Sequence, residues 1–140
     1  MLKASIVQKP ETILEVIRCA EDLYGEIDLM EDYNFNAEQA AEYIHEQCWL
    51  IAFHEEHLEA FVLLEWIGER EANIHFCYLF NGPFRTGWKL FLNLVEPHID
   101  LINAIVENHK TSVIRIAKRL GFTCKSSSKT LTYLELRISN

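Results

Sequence analysis

The sequence has little of several features that mark special classes of protein. It holds no apolar run close to the roughly 20 residues that span a membrane, and Met1–Ser5 lacks the apolar core of a signal peptide. Basic residues are fewer than acidic ones, since the chain has 13 Lys and Arg but 21 Asp and Glu, and its net charge is −8. Non-specific binding to nucleic acids is driven by Lys and Arg on phosphates, so this balance disfavours a nucleic-acid partner. We therefore expect a soluble, cytoplasmic protein that does not contact a membrane.

Metal-binding residue types do not occur in the patterns that hold metal ions. The cysteines Cys19, Cys48, Cys77 and Cys124 are far apart and form no C-x-x-C pair. The segment His54–His57 lacks the His-Glu-x-x-His spacing that puts two imidazoles on one helix face, and it is typical of a polar turn. Free cysteine is among the most buried residue types. The sequence therefore predicts reduced, mostly buried thiols and no metal site.

The apolar pattern predicts a single α/β domain. The chain has 140 residues, of which 49% are hydrophobic, and this is enough for one core. Apolar periodicity predicts elements in the order β, α, α, β, β, β, α, β, α, β, β. The predicted helices cover Pro10–Tyr24, Ala37–Gln47, Trp88–His98 and Lys110–Leu120. The predicted strands cover Ser5–Val7, Cys48–Phe53, Leu58–Ile67, Ala72–Phe80, Leu101–Val106, Phe122–Cys124 and Thr130–Ile138. Antiparallel strands followed by a βαβ crossover predict a central mixed sheet, of the α+β kind, with helices on both faces.

The stretch from Glu71 to Phe122 is where we expect the function. It has the order strand, breaker loop, helix, strand, helix, and the breaker loop is Asn81–Gly87. In such a unit the loop after the first strand presents a helix N-terminus that can receive a phosphate.

This order of elements resembles the GNAT family of N-acetyltransferases over nearly the whole chain. Three local features carry the resemblance. They are the strand that runs into Phe84-Arg85-Thr86-Gly87, the strand Leu101–Val106 followed by Glu107-Asn108, and the closing helix Ser112–Phe122 with its Leu-Gly-Phe end. The resemblance implies the acyl-CoA N-acyltransferase fold and acetyl-CoA as the acyl donor.

The resemblance also implies a set of cofactor-binding residues. In the family, the strand before the loop pairs with the pantetheine arm, and loop amides at a helix N-terminus hold the pyrophosphate. These roles would fall on Tyr78, Leu79 and Phe80 for the arm, and on Arg85, Thr86, Gly87 and Trp88 for the phosphates. Arg85 would pair with a phosphate or be merely solvated. Ser112 would touch the cofactor or cap the last helix.

His75 and Glu65 are the candidate catalytic bases. His75 lies within a predicted strand beside the implied acyl site. It would take a proton from the incoming ammonium, directly or through a water, or it is a half-buried histidine of the sheet. Glu65, on the neighbouring strand, is the second candidate or an outward-facing carboxylate. Backbone N–H groups near Tyr78 and Leu79 would stabilise the oxyanion.

The first interpretation of function is an N-acetyltransferase acting on an amine. A small polyamine-like molecule, a lysine side chain and a protein N-terminus all fit as acceptors. The acidic stretch Glu26–Asp32, predicted to be a loop, would attract a cationic amine or is simply solvated.

The alternative interpretation is a catalytically inactive protein with the same fold. The chain also resembles short GNAT-like proteins encoded by bacteriophages, some of which are virion or head-assembly components. Such a protein would bind a protein partner, for example from the host, and would be virion-associated. Trp88 and Leu90 stand where the family has glycines, and Ala117 stands where it often has a tyrosine acid. An exposed apolar patch around Trp88, Phe91 and Leu92 would support this alternative.

Overall fold

The computed structural model describes residues 1–78 and 84–138, and these form one mixed sheet with helices on both faces, as predicted. The strands are β1 (Lys3–Val7), β2 (Cys48–His54), β3 (Leu58–Trp66), β4 (Glu71–Tyr78), β5 (Leu101–Glu107), β6 (Thr123–Ser127) and β7 (Leu131–Arg137). The helices are α1 (Pro10–Tyr24), α2 (Asp28–Tyr33), α3 (Ala37–Gln47), α4 (Arg85–Val95) and α5 (Thr111–Arg119), and a 3₁₀ turn covers Glu96–His98. The strand order is β1-β2-β3-β4-β5-β7-β6. Within the described ranges β4 and β5 are the parallel pair, and the other neighbours are antiparallel.

The two faces of the sheet hold separate hydrophobic clusters. Helices α1 and α3 cover the first cluster, which includes Ile17, Ile44 and Leu50. Helices α4 and α5 cover the second, which includes Ile51 and Phe91. Leu50 and Ile51 are neighbours on β2 but belong to different clusters, because successive side chains of a strand point to opposite faces.

Helix α1 begins and ends, and helix α3 begins, at residues expected to limit helices. Pro10 stands at the start of α1, where its missing N–H costs nothing, and Gly25 with φ of 87° follows its end. Asn36 caps α3 by accepting a hydrogen bond from the backbone N–H of Gln39, whose side chain bonds back to the backbone of Asn36.

The prediction of a loop over Glu26–Asp32 is wrong, because most of this stretch belongs to α2, which begins at Asp28. Within this short helix Leu29 and Met30 are buried, whereas Asp28 and Asp32 are exposed. A run of six residues is too short to show helical periodicity against its acidic neighbours.

Helix α4 begins at Arg85, earlier than the predicted start at Trp88. The backbone N–H of Trp88 donates to the carbonyl of Phe84 at 2.8 Å, so Arg85–Gly87 form the first helical turn. Gly87 is buried there and does not break the helix. Strand β6 also extends to Ser127, so the predicted turn at Lys125–Lys129 is shorter than expected.

The side chains that commonly bind metals are dispersed. Among the described residues no three or more His, Cys, Asp or Glu side chains come together as a metal site would require. All of the cysteines are free, but Cys48 alone is fully buried and Cys124 is exposed, so the prediction of mostly buried thiols is wrong. Over the same described ranges, no helix is both long and apolar enough to cross a membrane.

Candidate active site

Strands β4 and β5 are paired only where they begin. The register joins Glu71–Asn73 to Leu101–Asn103. Beyond this point β4 continues to Tyr78 beside β3, and β5 continues to Glu107 beside β7. In the described part of the chain no ladder joins β4 to β5 after Asn73, so the two strands leave a wedge between them.

A β-bulge lies in β4 where the wedge opens. Leu63 pairs with His75 and Phe61 pairs with Tyr78, so β4 has one residue more than β3 over this interval. A bulge bends its strand and re-aims the side chains beside it. Because the ladder to β5 ends at Asn73, the edge of β4 that faces the wedge presents backbone N–H and C=O groups that no strand among the described residues uses.

The wedge opens into a cleft of about 630 Å³. This volume lies within the range of roughly 300–1,000 Å³ that is usual for small-molecule sites. Its walls come from β3, β4, β5, α2, the segment that joins β5 to α5, and the starts of α5 and β7. The lining residues are Asp28, Asp32, Tyr33, Glu65, Asn73, Ile74, His75, Phe76, Cys77, Ile105, Val106, Glu107, Lys110, Val113 and Leu131.

The two predicted bases, Glu65 and His75, form a hydrogen-bonded pair in the wall of this cleft. Nε2 of His75 lies 3.0 Å from Oε1 of Glu65. Glu65 lies opposite Asn73 across the β3–β4 ladder, so His75 is its diagonal neighbour on the same sheet face. Glu65 is only 9% exposed, so its alternative interpretation as an outward-facing carboxylate is wrong. Their catalytic roles stay predictions.

Tyr33 and Tyr43, which the sequence analysis did not single out, complete the surroundings of Glu65. The hydroxyl of Tyr33 on α2 donates to Oε2 of Glu65 at 2.9 Å. The hydroxyl of Tyr43 on α3 donates to the same oxygen. A glutamate inside an apolar strand must find hydrogen-bond donors when it is buried. In the sequence, this need for donors was the only indication that hydroxyl groups such as those of Tyr33 and Tyr43 lie beside Glu65.

The hydrogen bonds to Glu65 hold it as a carboxylate. Burial acts to raise the pKa of the Glu65 carboxyl, but hydrogen bonds from Tyr43, His75 and Tyr33 outweigh burial and lower this pKa. Burial, together with the Glu65 carboxylate that it faces, raises the pKa of the Tyr43 hydroxyl. At neutral pH Glu65 is therefore a carboxylate beside the ring of His75.

An ion pair joins the two walls at the mouth of the cleft. Nζ of Lys110 lies 2.9 Å from Oδ2 of Asp28 on α2 and 3.6 Å from Oε1 of Glu107 at the end of β5. The hydrogen bond from Lys110 to Asp28 outweighs partial burial and raises the pKa of the lysine. Charged side chains thus connect the two walls across the mouth of the cleft.

The first turn of α4 follows the wedge along the chain. The first backbone N–H groups of a helix have no partner within the helix, and here they belong to Arg85, Thr86 and Gly87. The predicted phosphate contact of the Trp88 amide is wrong in this arrangement, because that amide already donates to Phe84. Within the described residues, three of the four predicted phosphate-binding residues thus have a backbone N–H group without a partner in the helix.

Solved structures share the whole architecture. A GNAT-family protein from Desulfovibrio desulfuricans superposes with a TM-score of 0.73 at 12% identity, over 99% of this chain and 100% of that chain. The chain has the GNAT fold. The protein yncA of Salmonella typhimurium, solved with its cofactor acetyl-CoA, has a TM-score of 0.69 at 11% identity, over 100% of this chain and 95% of that one. The Campylobacter jejuni N-acetyltransferase PseH, in complex with acetyl coenzyme A, has a TM-score of 0.66 at 11% identity, over 99% of this chain and 100% of that chain.

At such low identities these superpositions show the GNAT fold alone, and the function has to be argued from the site. No protein-family model matches the sequence, and no curated protein matches it either. The fold prediction is confirmed, whereas an origin in a bacteriophage stays a prediction.

The remaining predicted residues take several positions on the GNAT fold. Tyr78 ends β4 opposite Phe61, but Leu79 and Phe80 lie outside the described residues. Ser112 is exposed in the first turn of α5 and makes no cap, so its capping role is wrong and its cofactor contact stays a prediction.

The apolar patch expected of a protein-binding module is not exposed. Phe91 is fully buried, and Trp88 and Leu92 are partly buried against the second hydrophobic cluster.

Proposed function

We propose that this protein is an N-acetyltransferase that uses acetyl-CoA as donor and a primary amine as acceptor. The observation that carries the proposal is the Glu65–His75 pair in the wall of the cleft that opens between β4 and β5. The fold supports it, since two proteins of the same fold are solved with acetyl-CoA bound.

The cofactor lies along the wedge. Its pantetheine arm pairs with the edge of β4 as an added strand would, up to Tyr78, where the strand ends. The same role predicted for Leu79 and Phe80 falls outside the described residues. Its pyrophosphate reaches the first turn of α4, where free N–H groups and the helix dipole favour an anion. The exposed guanidinium of Arg85 adds a charge-assisted hydrogen bond there, beside Thr86 and Gly87.

His75 is the general base of the proposed reaction. An amine attacks a thioester only as its neutral form, so the incoming ammonium must first lose a proton. Nε2 of His75 is held by Glu65, which leaves Nδ1 to accept that proton, and the Glu65 carboxylate stabilises the imidazolium that forms. The attack makes a C–N bond, backbone N–H groups near Tyr78 hold the oxyanion, and the C–S bond then breaks. The acceptor nitrogen then loses its second proton, and the leaving thiolate of coenzyme A takes it up.

The acceptor is a cationic amine. Asp28, Asp32, Glu65 and Glu107 line the cleft, and Lys110 is the one lysine or arginine among its described lining residues. A cleft lined by negative charge raises the local concentration of cations and speeds their entry. Small polyamines, lysine side chains and protein N-termini all carry the required ammonium group.

A thiol-release assay tests the proposed function. Purified protein is mixed with acetyl-CoA and, in turn, with polyamines, lysine-containing peptides and peptides with free N-termini. We expect release of coenzyme A above the amine-free background with at least one of these acceptors, and weaker release as the salt concentration rises. Binding of acetyl-CoA without thiol release from any acceptor class would contradict the proposed reaction.

A further inference from the structure

A small apolar pocket lies on the other side of β4 from the Glu65–His75 pair. Its lining comes from β2, β3, β4, α4 and α5 and includes Phe53, Val62, Phe76, Trp88, Phe91 and Leu120. The pocket has a volume of about 30 Å³. That is enough for about one small group, since a single water needs at least roughly 10–15 Å³ on the same measure.

Phe76 is the residue that separates this pocket from the cleft. Among the described residues it alone lines both spaces. It follows His75 on β4, so its ring points to the opposite sheet face, where it packs edge-on against Phe122 with ring centroids 6.3 Å apart. No β4–β5 ladder is present at this level among the described residues, so side chains rather than backbone close the passage.

We propose that the Phe76 ring sets the length of the acyl group that the protein accepts. The inference rests on the proposed function, which places the thioester beside His75. An alkyl chain longer than acetyl has two directions in which to extend. One leads to the carboxylate of Glu65 and the hydroxyl of Tyr33, where an apolar chain is unfavourable. The other leads to the apolar pocket, and the Phe76 ring blocks it.

Acyl-chain selectivity in Phe76→Ala tests the proposal. The reaction is run with one amine and with acetyl-, butyryl-, hexanoyl- and octanoyl-CoA. In the wild type we expect kcat/KM to fall about tenfold or more from acetyl to butyryl, as for a pocket too short for its substrate. Phe76→Ala joins the pocket to the cleft, so we expect this order to reverse. Each additional buried methylene should tighten binding by about fourfold until the pocket is full.

Ile105→Ala is the matched control. Ile105 also lines the cleft, on β5, but it does not line the apolar pocket and its side chain is 51% exposed. This variant also removes an aliphatic group from the wall without joining the two spaces, so it should keep the wild-type order of chain lengths.

A second variant and a second readout keep the result decisive. If Phe76→Ala does not fold, Phe76→Leu removes less of the ring and should shift the preference from acetyl towards butyryl. A folded Phe76 variant that keeps the wild-type order, or a wild type that uses hexanoyl-CoA as well as acetyl-CoA, would overturn the inference. If no acceptor is acetylated, the calorimetric affinities of the same acyl-CoA series decide the matter. If acyl-CoA binds with the expected order of chain lengths but no amine is acetylated, only the proposed reaction is contradicted. If no acyl-CoA binds, the proposed reaction and the role of Phe76 are both contradicted.

Discussion

The two faces of β4 meet very different surroundings at the wedge. On one face, His75 contacts Glu65, which is also bound by Tyr33 and Tyr43. On the other face, Ile74 packs into the cluster under α4 and α5. Adjacent residues of one strand thus serve different purposes, because side chains alternate between faces. The comparison indicates that substitutions on the first face should mainly affect chemistry, and those on the second should mainly affect stability.

Substitution of His75 should give the largest effect on activity. We expect His75→Ala to lower kcat in the thiol-release assay by about 10²–10⁴-fold, which is the usual contribution of a general base. His57→Ala, on a histidine that is 77% exposed in the turn between β2 and β3, is the matched control and should keep the wild-type rate. Equal rates in the two variants would show that the His75 face carries no chemistry.

Removal of an apolar side chain from the other face should give the largest effect on stability. Ile102 on β5 is fully buried in the cluster under α4 and α5. We expect Ile102→Ala to lower the free energy of unfolding by about 2–5 kcal/mol in urea titrations. Ile105→Ala, on the same strand but 51% exposed, should change it by about 0.5 kcal/mol or less. Similar losses in both variants would contradict the assignment of this core.

Individual residues on the Glu65–His75 face of the sheet could be predicted from the sequence, but their arrangement could not. Glu65 and His75 stand out because each is polar within an apolar strand. Their hydrogen bond depends on the register of β3 and β4, which places Glu65 opposite Asn73, and the residue pattern does not determine this register. Tyr33 was missed because its helix is only six residues long.

The position of α4 shows a similar limit for the cofactor site. Gly87 was expected to break the helix, since glycine disfavours helical backbone. It lies instead in the first turn, buried against other elements, where a small residue fits. Tertiary packing therefore decides where this helix begins, and the N–H groups of its first turn belong to Arg85, Thr86 and Gly87, three of the four residues predicted to hold the phosphates.

A smaller effect is expected from removing one donor to Glu65. Tyr43→Phe should lower the free energy of unfolding at pH 7 by about 1.5 kcal/mol, because it removes a hydrogen bond to a charged group. The folded-state pKa of Glu65 lies below its usual value of 4.5, so this stabilisation is complete above that pH. It is lost as the pH falls through the folded pKa and the carboxylate is protonated.

The measurement is urea unfolding of wild type and variant at pH 7 and near pH 3. The stability difference between the two proteins should be larger at pH 7. Tyr133→Phe is the matched control, since the structure gives its hydroxyl no hydrogen bond within the described residues. A Tyr43→Phe difference that is the same at both pH values would contradict an ionised Glu65 network.

The smallest effect on stability is expected from the ion pair at the mouth of the cleft. Lys110→Met removes the ion pair with Asp28, whose side chain is 58% exposed, and should cost about 1 kcal/mol or less. The cost should shrink from 0.1 M to 1 M salt, because the screening length falls from about 10 Å to about 3 Å. Lys118→Met on the exposed side of α5 is the control and should show no such salt dependence. A loss of several kcal/mol would place Lys110 in the core of the network.

A calorimetric titration of acetyl-CoA tests the central claim most directly. Wild type, Arg85→Glu and Lys89→Glu are compared, because both residues are exposed on α4 but only Arg85 lies in its first turn. We predict micromolar binding by wild type and Lys89→Glu, and affinity at least about tenfold weaker for Arg85→Glu. Absence of binding at millimolar acetyl-CoA, or equal losses in both variants, would contradict a cofactor site at the start of α4.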